Sequence, residues 1–240
     1  MRVAALYDIH GNLPALEAVL TEVREAGADT IVVGGDVASG PMPRETLELL
    51  LSLPERVRFV RGNADRVLDF HGYGLIEEDA VWVRSRRWVA GELGEAHLRF
   101  LERLPLDEVI EGIRFCHGAR GSDKEVITRL TDEDRLGRLL RGIEERTVVC
   151  GHTHVQFDRL VDGTRVVNAG SVGASYEARP GAYWLLAGPE LSLRRTPYDV
   201  HEAASRIQAT GYPNAESFVE TMVTEDPARP ERMSALIEGL

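Results

Sequence analysis

Val3–Tyr7 is an apolar run closed by Asp8, the pattern of a short buried strand. Leu13, Leu16, Val19, Leu20 and Val23 then recur at helical spacing up to Gly27, which predicts an amphipathic helix with a glycine stop. The β-branched run Thr30–Val33 predicts a second strand, followed by Gly34-Gly35-Asp36; Pro43 to Leu53 predicts a helix opened by proline, and Val57–Val60 a third strand ending in Arg61-Gly62-Asn63. Strand, helix, strand, helix, strand is the order of parallel crossover units. Residues 64–105 read as helical, with Trp82, Val83, Trp88, Val89 and Leu93 on apolar faces and Pro105 as the stop. Val109–Cys116 reads as a strand or hairpin around Gly112, Asp132–Ile143 as a helix, and Thr147–Cys150 as a strand running into Gly151-His152. An Asp162-Gly163 pair predicts a tight hairpin. Tyr183–Leu186 and Leu191–Arg195 form another pair about Gly188-Pro189.

The expected architecture is therefore an α/β sandwich, with crossover units first and hairpins later. After Pro197 the pattern changes: Tyr198–Thr210 and Asn214–Val223 read as two helices, and Pro227 and Pro230 break the pattern beyond them. The apolar stripe Val200, Ala203, Ala204, Ile207 would pack on the body. This sets the expected division: one domain over residues 1–197, and a helical C-terminal extension over 198–240 packed on it.

Composition narrows the class. With 240 residues, 43% of them hydrophobic, the chain can bury a core and is not globally disordered. Its longest apolar runs are too short to span a bilayer, and its N-terminal run is shorter than a signal-peptide core. Two cysteines make no disulfide framework, so a cytoplasmic protein without a membrane partner is expected. A formal net charge of −11 disfavours broad binding to nucleic acid or to anionic membrane. Lys124 is the one lysine among 28 basic residues, as expected of a GC-rich source, and a heat-adapted one would also explain the low count of four Asn and two Gln; neither points to an activity.

The polar residues at strand ends carry the chemistry. Of seven histidines, His10, His117, His152 and His154 follow predicted strands, as do Asp8, Asp36 and Asn63. Ligands of open α/β sheets bind at the carboxyl ends of strands, so five strand ends can deliver these groups to one rim. Asp8 with His10, and His152 with His154, have i, i+2 spacing, which in extended chain points both side chains the same way. Each motif alone has an ordinary structural explanation, as a helix cap or a turn residue; all five in one structural position do not. Two carboxylates, four imidazoles and one amide, with no thiolate, suit Mn²⁺ first, with Fe or Zn²⁺ as alternatives. Seven ligands exceed the needs of one ion and suit two ions ~3.5–4 Å apart sharing a carboxylate, the arrangement used for in-line attack on phosphorus. Cys116 and Cys150 are expected in the core, and His71, His97 and His201 fall on predicted helices as ordinary residues.

In order, these motifs (Asp-x-His, Gly-Asp, Gly-Asn-x-Asp, His, Gly-His-x-His) resemble the calcineurin-like metallophosphoesterase superfamily. The likeness runs from Asp8 to His154 and, through Asn168-Ala-Gly-Ser-Val-Gly, to Gly173; its details are most similar to the small prokaryotic phosphodiesterase branch. The resemblance implies a β-sandwich flanked by helices. It implies a first metal held by Asp8, His10, Asp36 and His154, and a second held by Asp36, Asn63, His117 and His152, with Asp36 bridging. It also implies a water or hydroxide between the ions as nucleophile, and gives the catalytic part to Asp36, Asn63 and His117. The implied activity is a dinuclear phosphodiesterase acting on small nucleotide-type or other phosphoesters.

Two departures from the family pattern matter. Where the fuller motif reads Gly-Asn-His-Asp/Glu, this chain has Ala64, so the histidine that would stabilise or protonate the leaving group is missing and Asp65 stands without its partner. General acid help is worth about 10²–10⁴-fold, so poor alkoxide leaving groups should go slowly and phenolate-like ones better. His71 is a candidate substitute. Arg120, three residues past His117, could clamp a phosphate bidentately, and Asn12 could reach the phosphate or orient a ligand. The competing functions are a DNA nuclease of the same superfamily, disfavoured by the acidic charge and by Ala64, and a non-catalytic scaffold, disfavoured by the complete ligand set. Whether the chain forms a homo-oligomer is left open.

Overall fold

The crossover units form as expected: β1 (Val3–Leu6), α1 (Leu13–Glu25), β2 (Thr30–Val33), α2 (Pro43–Ser52) and β3 (Arg56–Phe59). The computed structural model describes residues 1–67 and 80–240. Helix α1 starts where the Asn12 side chain accepts the Ala15 N–H, with a proline in its first turn, and it buries Ala15, Leu16, Val19, Leu20 and Val23. The helix expected from residue 64 does not start there: residues 63–67 form turns, and α3 spans Val81–Glu102 with a break at Gly94 (φ 71°, ψ 169°). His71 lies outside the described residues.

The rest is β4 (Asp107–Ile110), β5 (Ile113–Cys116), α4 (Glu133–Leu139), β6 (Thr147–Cys150), β7 (Phe157–Val161), β8 (Thr164–Asn168), β9 (Ala182–Ala187) and β10 (Leu191–Thr196). The expected hairpin at Asp162-Gly163 is present, and of the strand or hairpin expected around Gly112 the hairpin forms, at Glu111-Gly112, with all four turn residues at positive φ. The strands make two five-stranded sheets, in the orders β10-β9-β1-β2-β3 and β4-β5-β6-β8-β7. Crossovers and hairpins are not segregated as expected. β9 returns to the first sheet antiparallel to β1, with β10 antiparallel to β9 at its edge, while β5, β6 and β8 run parallel in the second. The sheets stack as a sandwich because each strand alternates its faces: Val3, Ala5 and Tyr7 meet Phe115, Val149 and Val167 between the sheets, while Ala4 and Leu6 face the helical layer of α1 and α2. Cys116 and Cys150 point to the outer layer with Leu136 of α4, as core residues. The Tyr7 hydroxyl donates to the Val149 carbonyl across the sandwich at 3.0 Å.

After β10 come α5 (Val200–Gln208), α6 (Ala215–Val223) and a third helix, α7 (Arg229–Glu238). Along the chain the two prolines read as breakers of the helical pattern. In the structure Pro230 sits in the first turn of α7, where its missing N–H costs nothing. Ala203, Ile207, Phe218 and Met222 pack with Met42 and Ala174 of the body. Glu238 of α7 accepts hydrogen bonds from Thr128, Thr131 and Arg135. No helix among the described residues is long and apolar enough to cross a membrane.

Candidate metal centre

Beyond the strand ends the backbone turns left-handed. Seven described non-glycine residues have positive φ, and five are Asp8 (52°), His10 (48°), Asp36 (52°), His152 (68°) and His154 (59°). The other two sit in the hairpin turns. Such conformations cost on the order of 1 kcal/mol or more each and persist where their surroundings enforce them. The i, i+2 pairs therefore do not share a face through extended chain, as the spacing suggested; they converge because each ligand sits in its own left-handed turn. Hydrogen bonds hold the turns, from Asp8 N to Gly35 O, His10 N to Asp36 O, and Gly11 N to Val37 O. Gly35 (φ 103°) is required here, since a Cβ on it would stand 2.6 Å from Gly62 N and from His117 Nδ1.

The turns bring together two clusters, Asp8–His10–His154 and Asp36–His117–His152, with the ligand atoms of each cluster within 4.8 Å of one another. They adjoin: His10 Nε2 and His117 Nε2 each lie 3.6 Å from Asp36 Oδ2, and each 3.9 Å from Asp8 Oδ1. Asn63 Oδ1 stands 3.0 Å from His117 Nε2. All seven expected ligands thus meet at one rim.

The donor chemistry shows that this cradle fits cations. The Nδ1 atoms of His10, His117 and His154 face the carbonyls of Ser39, Gly34 and Ala174 at 3.1, 3.0 and 2.6 Å. A carbonyl only accepts, so these nitrogens carry the protons, and in the neutral rings Nε2 is a bare lone pair. The Nε2 lone pairs of His10 and His154 point at each other across 3.2 Å, and that of His117 points at an amide oxygen. The buried Asp8 Oδ1 has no hydrogen-bond partner among the described residues. Acceptor facing acceptor is repulsive unless a positive charge lies between.

Protons supply some of that charge in the metal-free protein. Burial alone would lower the pKa values of His117 and His154, but the charges of Asp36 and Asp8 outweigh it and raise both above 6.5. Burial prevails for His10 and His152, which are lowered. Asp8 is held well below the usual carboxylate range by the imidazoles of His154 and His117, against its burial. A metal must displace the protons on His117 and His154. Apparent Mn²⁺ affinity should therefore rise as pH rises through 6.5 and level off above their raised values. Calorimetry in buffers of different ionisation enthalpy should register net proton release on metal uptake.

Two expected substrate contacts are placed elsewhere. Asn12 is fully buried; it caps α1 and donates its amide to Gly173 O (2.8 Å) and the Tyr198 hydroxyl (3.3 Å), so it braces the extension and not a phosphate. Arg120 is exposed and donates to the carbonyls of Arg141 and Gly142 beyond α4; in this position it clamps the chain's own backbone. Asp65 has work that its missing partner concealed: Oδ2 accepts from Asp36 N (2.9 Å) and Gly62 N (2.8 Å), and Oδ1 from Val37 N (2.9 Å). It ties the Asp36 turn to the Asn63 turn. Burial and the neighbouring Asp36 charge push its carboxyl up to about 7 in the metal-free protein, opposed by those N–H donors. Ala64 contributes its N–H to Asp36 Oδ1 at 2.7 Å. Asn168 and Ser171, within the Asn168–Gly173 stretch, brace the ligand turns by donating to Gly151 O and Asp8 O.

An open cavity of about 460 Å³ lies beside the rim, lined by Ser39, Trp82, Ser85, Arg86, Tyr212 and Asn214. Ser39 joins it to the metal cradle, because its carbonyl holds His10. A larger cavity of about 640 Å³ is lined by Arg2, Gly188 and their neighbours, at the opposite end of the strands, and carries none of the ligand residues.

Residues 1–188 match the family model of the calcineurin-like phosphoesterase superfamily domain. An uncharacterized protein of Methanocaldococcus jannaschii is 23% identical over 232 residues, covering 85% of this chain and 91% of that protein. The Escherichia coli phosphodiesterase YfcE is 36% identical over 78 residues, which is 29% of this chain and 42% of YfcE. Among solved structures, a metallophosphoesterase from Sphaerobacter thermophilus aligns with TM-score 0.76 and 27% identity over 92% of this chain and 98% of its own. A hypothetical protein from Pyrococcus horikoshii has the same fold, with TM-score 0.78 and 22% identity over 92% and 97% of the two chains.

Proposed function

The chain belongs to the calcineurin-like phosphoesterase superfamily and is thus a phosphoric ester hydrolase; on that premise we propose that it is a two-metal phosphodiesterase for small phosphoesters. The observation that carries this is Asp36, whose carboxylate lies 3.6 Å from imidazole nitrogens of both clusters, His10 in one and His117 in the other. Asp8, His10, Asp36 and His154 would hold one divalent ion, and Asp36, Asn63, His117 and His152 the other. Bound there, the ions would polarise phosphoryl oxygens and bring the pKa of a water toward ~7. Mn²⁺ is the first choice for this oxygen and nitrogen set. The carbonyls of Ser39, Gly34 and Ala174 keep the imidazoles aimed at the rim, and the Asp65 tether keeps Asp36 between the clusters. The cavity next to Ser39 has room for the organic part of an ester, with Trp82 and Tyr212 as apolar walls. The buried free thiols Cys116 and Cys150 suit a reducing, cytoplasmic setting, and the acidic charge favours a small ester over a nucleic acid. Residues 198–240 are read as an extension closing on the phosphoesterase domain.

Ala64 shapes the specificity. With no side-chain acid at that position, the leaving group departs unprotonated. Metal-stripped protein supplemented with Mn²⁺ should cleave bis(p-nitrophenyl) phosphate, and faster than p-nitrophenyl phosphate. Diesters with alkoxide leaving groups should be at least about 10²-fold slower than the aryl diester. No turnover despite two bound ions would sink the enzymatic reading in favour of a scaffold. A preference for the monoester would overturn the diesterase assignment while leaving the metal centre intact.

A further inference from the structure

Tyr176 belongs to the segment between β8 and β9, and none of the motifs above includes it. Its ring stacks on that of His154, with centroids 4.9 Å apart and planes 23° apart. Its backbone N–H donates to the His154 carbonyl at 3.1 Å. The same tyrosine ring carries a cation from the C-terminal extension: Arg229 Cζ, at the start of α7, lies 5.3 Å from its centroid. Arg229 is itself buried, and its guanidinium donates to Thr221 O at 2.9 Å. A second tie runs beside the first, from Asp226 N to Ala178 O at 3.1 Å. The extension therefore grips the segment that presses on a metal ligand.

The imidazole of His154 is held at its two nitrogens, Nδ1 by Ala174 O at 2.6 Å and Nε2 facing His10 Nε2 at 3.2 Å and Asp8 Oδ1 at 3.3 Å. These contacts fix where the two nitrogens point and leave the ring plane free to tilt about the line that joins them. Productive ligand geometry tolerates only ~10–20° of error. The stacked phenol supplies the missing restraint, and the guanidinium over its ring keeps the phenol in place. Nothing in the described contacts of Asp36, His117 or His152 involves Tyr176 or the extension.

We propose that Tyr176, backed by Arg229 of α7, is a positioning residue for His154, through which the C-terminal extension sets the metal affinity of the Asp8–His10–His154 half-site. This rests on the two-metal reading. The test is Mn²⁺ titration calorimetry of the metal-stripped full-length chain, with thermal unfolding of each metal-free form recorded alongside. A His154→Ala titration identifies the step that belongs to this half-site. Tyr176→Leu, which keeps bulk but removes the plane, should weaken that step about 10–100-fold, the usual cost of losing an outer partner of a metal ligand, and leave the other within about 2-fold. Tyr176→Phe keeps the ring and should restore wild-type binding. Arg229→Met should weaken the same step by a smaller factor, and serves alone if the leucine variant does not fold. Wild-type affinity in both Tyr176→Leu and Arg229→Met would overturn the proposal. So would equal weakening of both steps, or a phenylalanine variant as weak as the leucine one. Wild-type protein that takes up no second ion would count against the two-metal reading instead.

Discussion

Asp36→Asn is expected to lower kcat/KM on bis(p-nitrophenyl) phosphate at least about 10³-fold, equivalent to about 4 kcal/mol of transition-state stabilisation. The substitution removes the negative charge that lies nearest to imidazoles of both clusters, at 3.6 Å against 3.9 Å for Asp8, and keeps the shape. An amide oxygen can still accept the Ala64 N–H now received by Asp36 Oδ1, so the turn has no reason to open. The metal-free variant should unfold near the wild-type temperature. In the metal-free protein neutralising Asp36 relieves its repulsion of the buried Asp65 and gives up its attraction for the protonated His117, two effects of opposite sign. Metal analysis should show fewer than two ions per chain. Activity within about 10-fold of wild type would mean that Asp36 does not bridge. A large fall in metal-free stability would mean that the residue is structural first.

Asp65→Asn should do the opposite, and its effect is mainly on stability. The carboxylate satisfies three backbone N–H groups from two turns. An asparagine oxygen can keep the two at Oδ2, but its NH₂ then meets the Val37 N–H, donor against donor. One buried N–H is left unpaired and the remaining bonds lose their charge assistance. Together these cost about 2–4 kcal/mol, or about 4–8 °C in Tm for a chain of this size. Relief of the Asp36 repulsion offsets part of this in the metal-free protein; with cations bound that repulsion is already compensated. The loss should therefore be larger in the Mn²⁺-loaded protein than in the stripped one. Loosening the Asp36 turn should also weaken metal binding about 10–100-fold, as for other partners of ligand residues. An unchanged Tm in both states would show that the tether is dispensable.

Much of this molecule is legible along the chain. Thr30–Val33 and Thr147–Cys150 form strands with the expected ends, because short β-branched runs bounded by glycine or by polar residues leave little choice. The tight hairpins at Gly112 and Gly163 follow from local turn chemistry. Cys116 alternates away from His117 and lands in the outer core, as strand periodicity requires. The seven candidate ligand residues at strand ends, and their likeness to the phosphoesterase superfamily, are likewise written in the sequence.

Other features depend on contacts that no local rule reports. The return of β9 and β10 to the first sheet joins positions far apart in the chain, such as Val3 and Ala187. The left-handed turns at Asp8 and His10 are enforced by the facing loop after β2, so extended-chain spacing could not foresee them. Asn12 and Asp65 carry side chains suited equally to a ligand, a cap or a tether. Burial selected among these roles, because it left each beside particular backbone N–H or C=O groups that had to be satisfied. Pro230 reads as a breaker until α7 is seen to start at it. Residue types and strand ends depend on near neighbours, and they were enough to list the residues that meet in the candidate site. The grouping of Asp8 and His10 with His154, and of Asp36 with His117 and His152, came from the long-range fold. It arises where two sheets close on each other and unpaired lone pairs have nowhere else to turn.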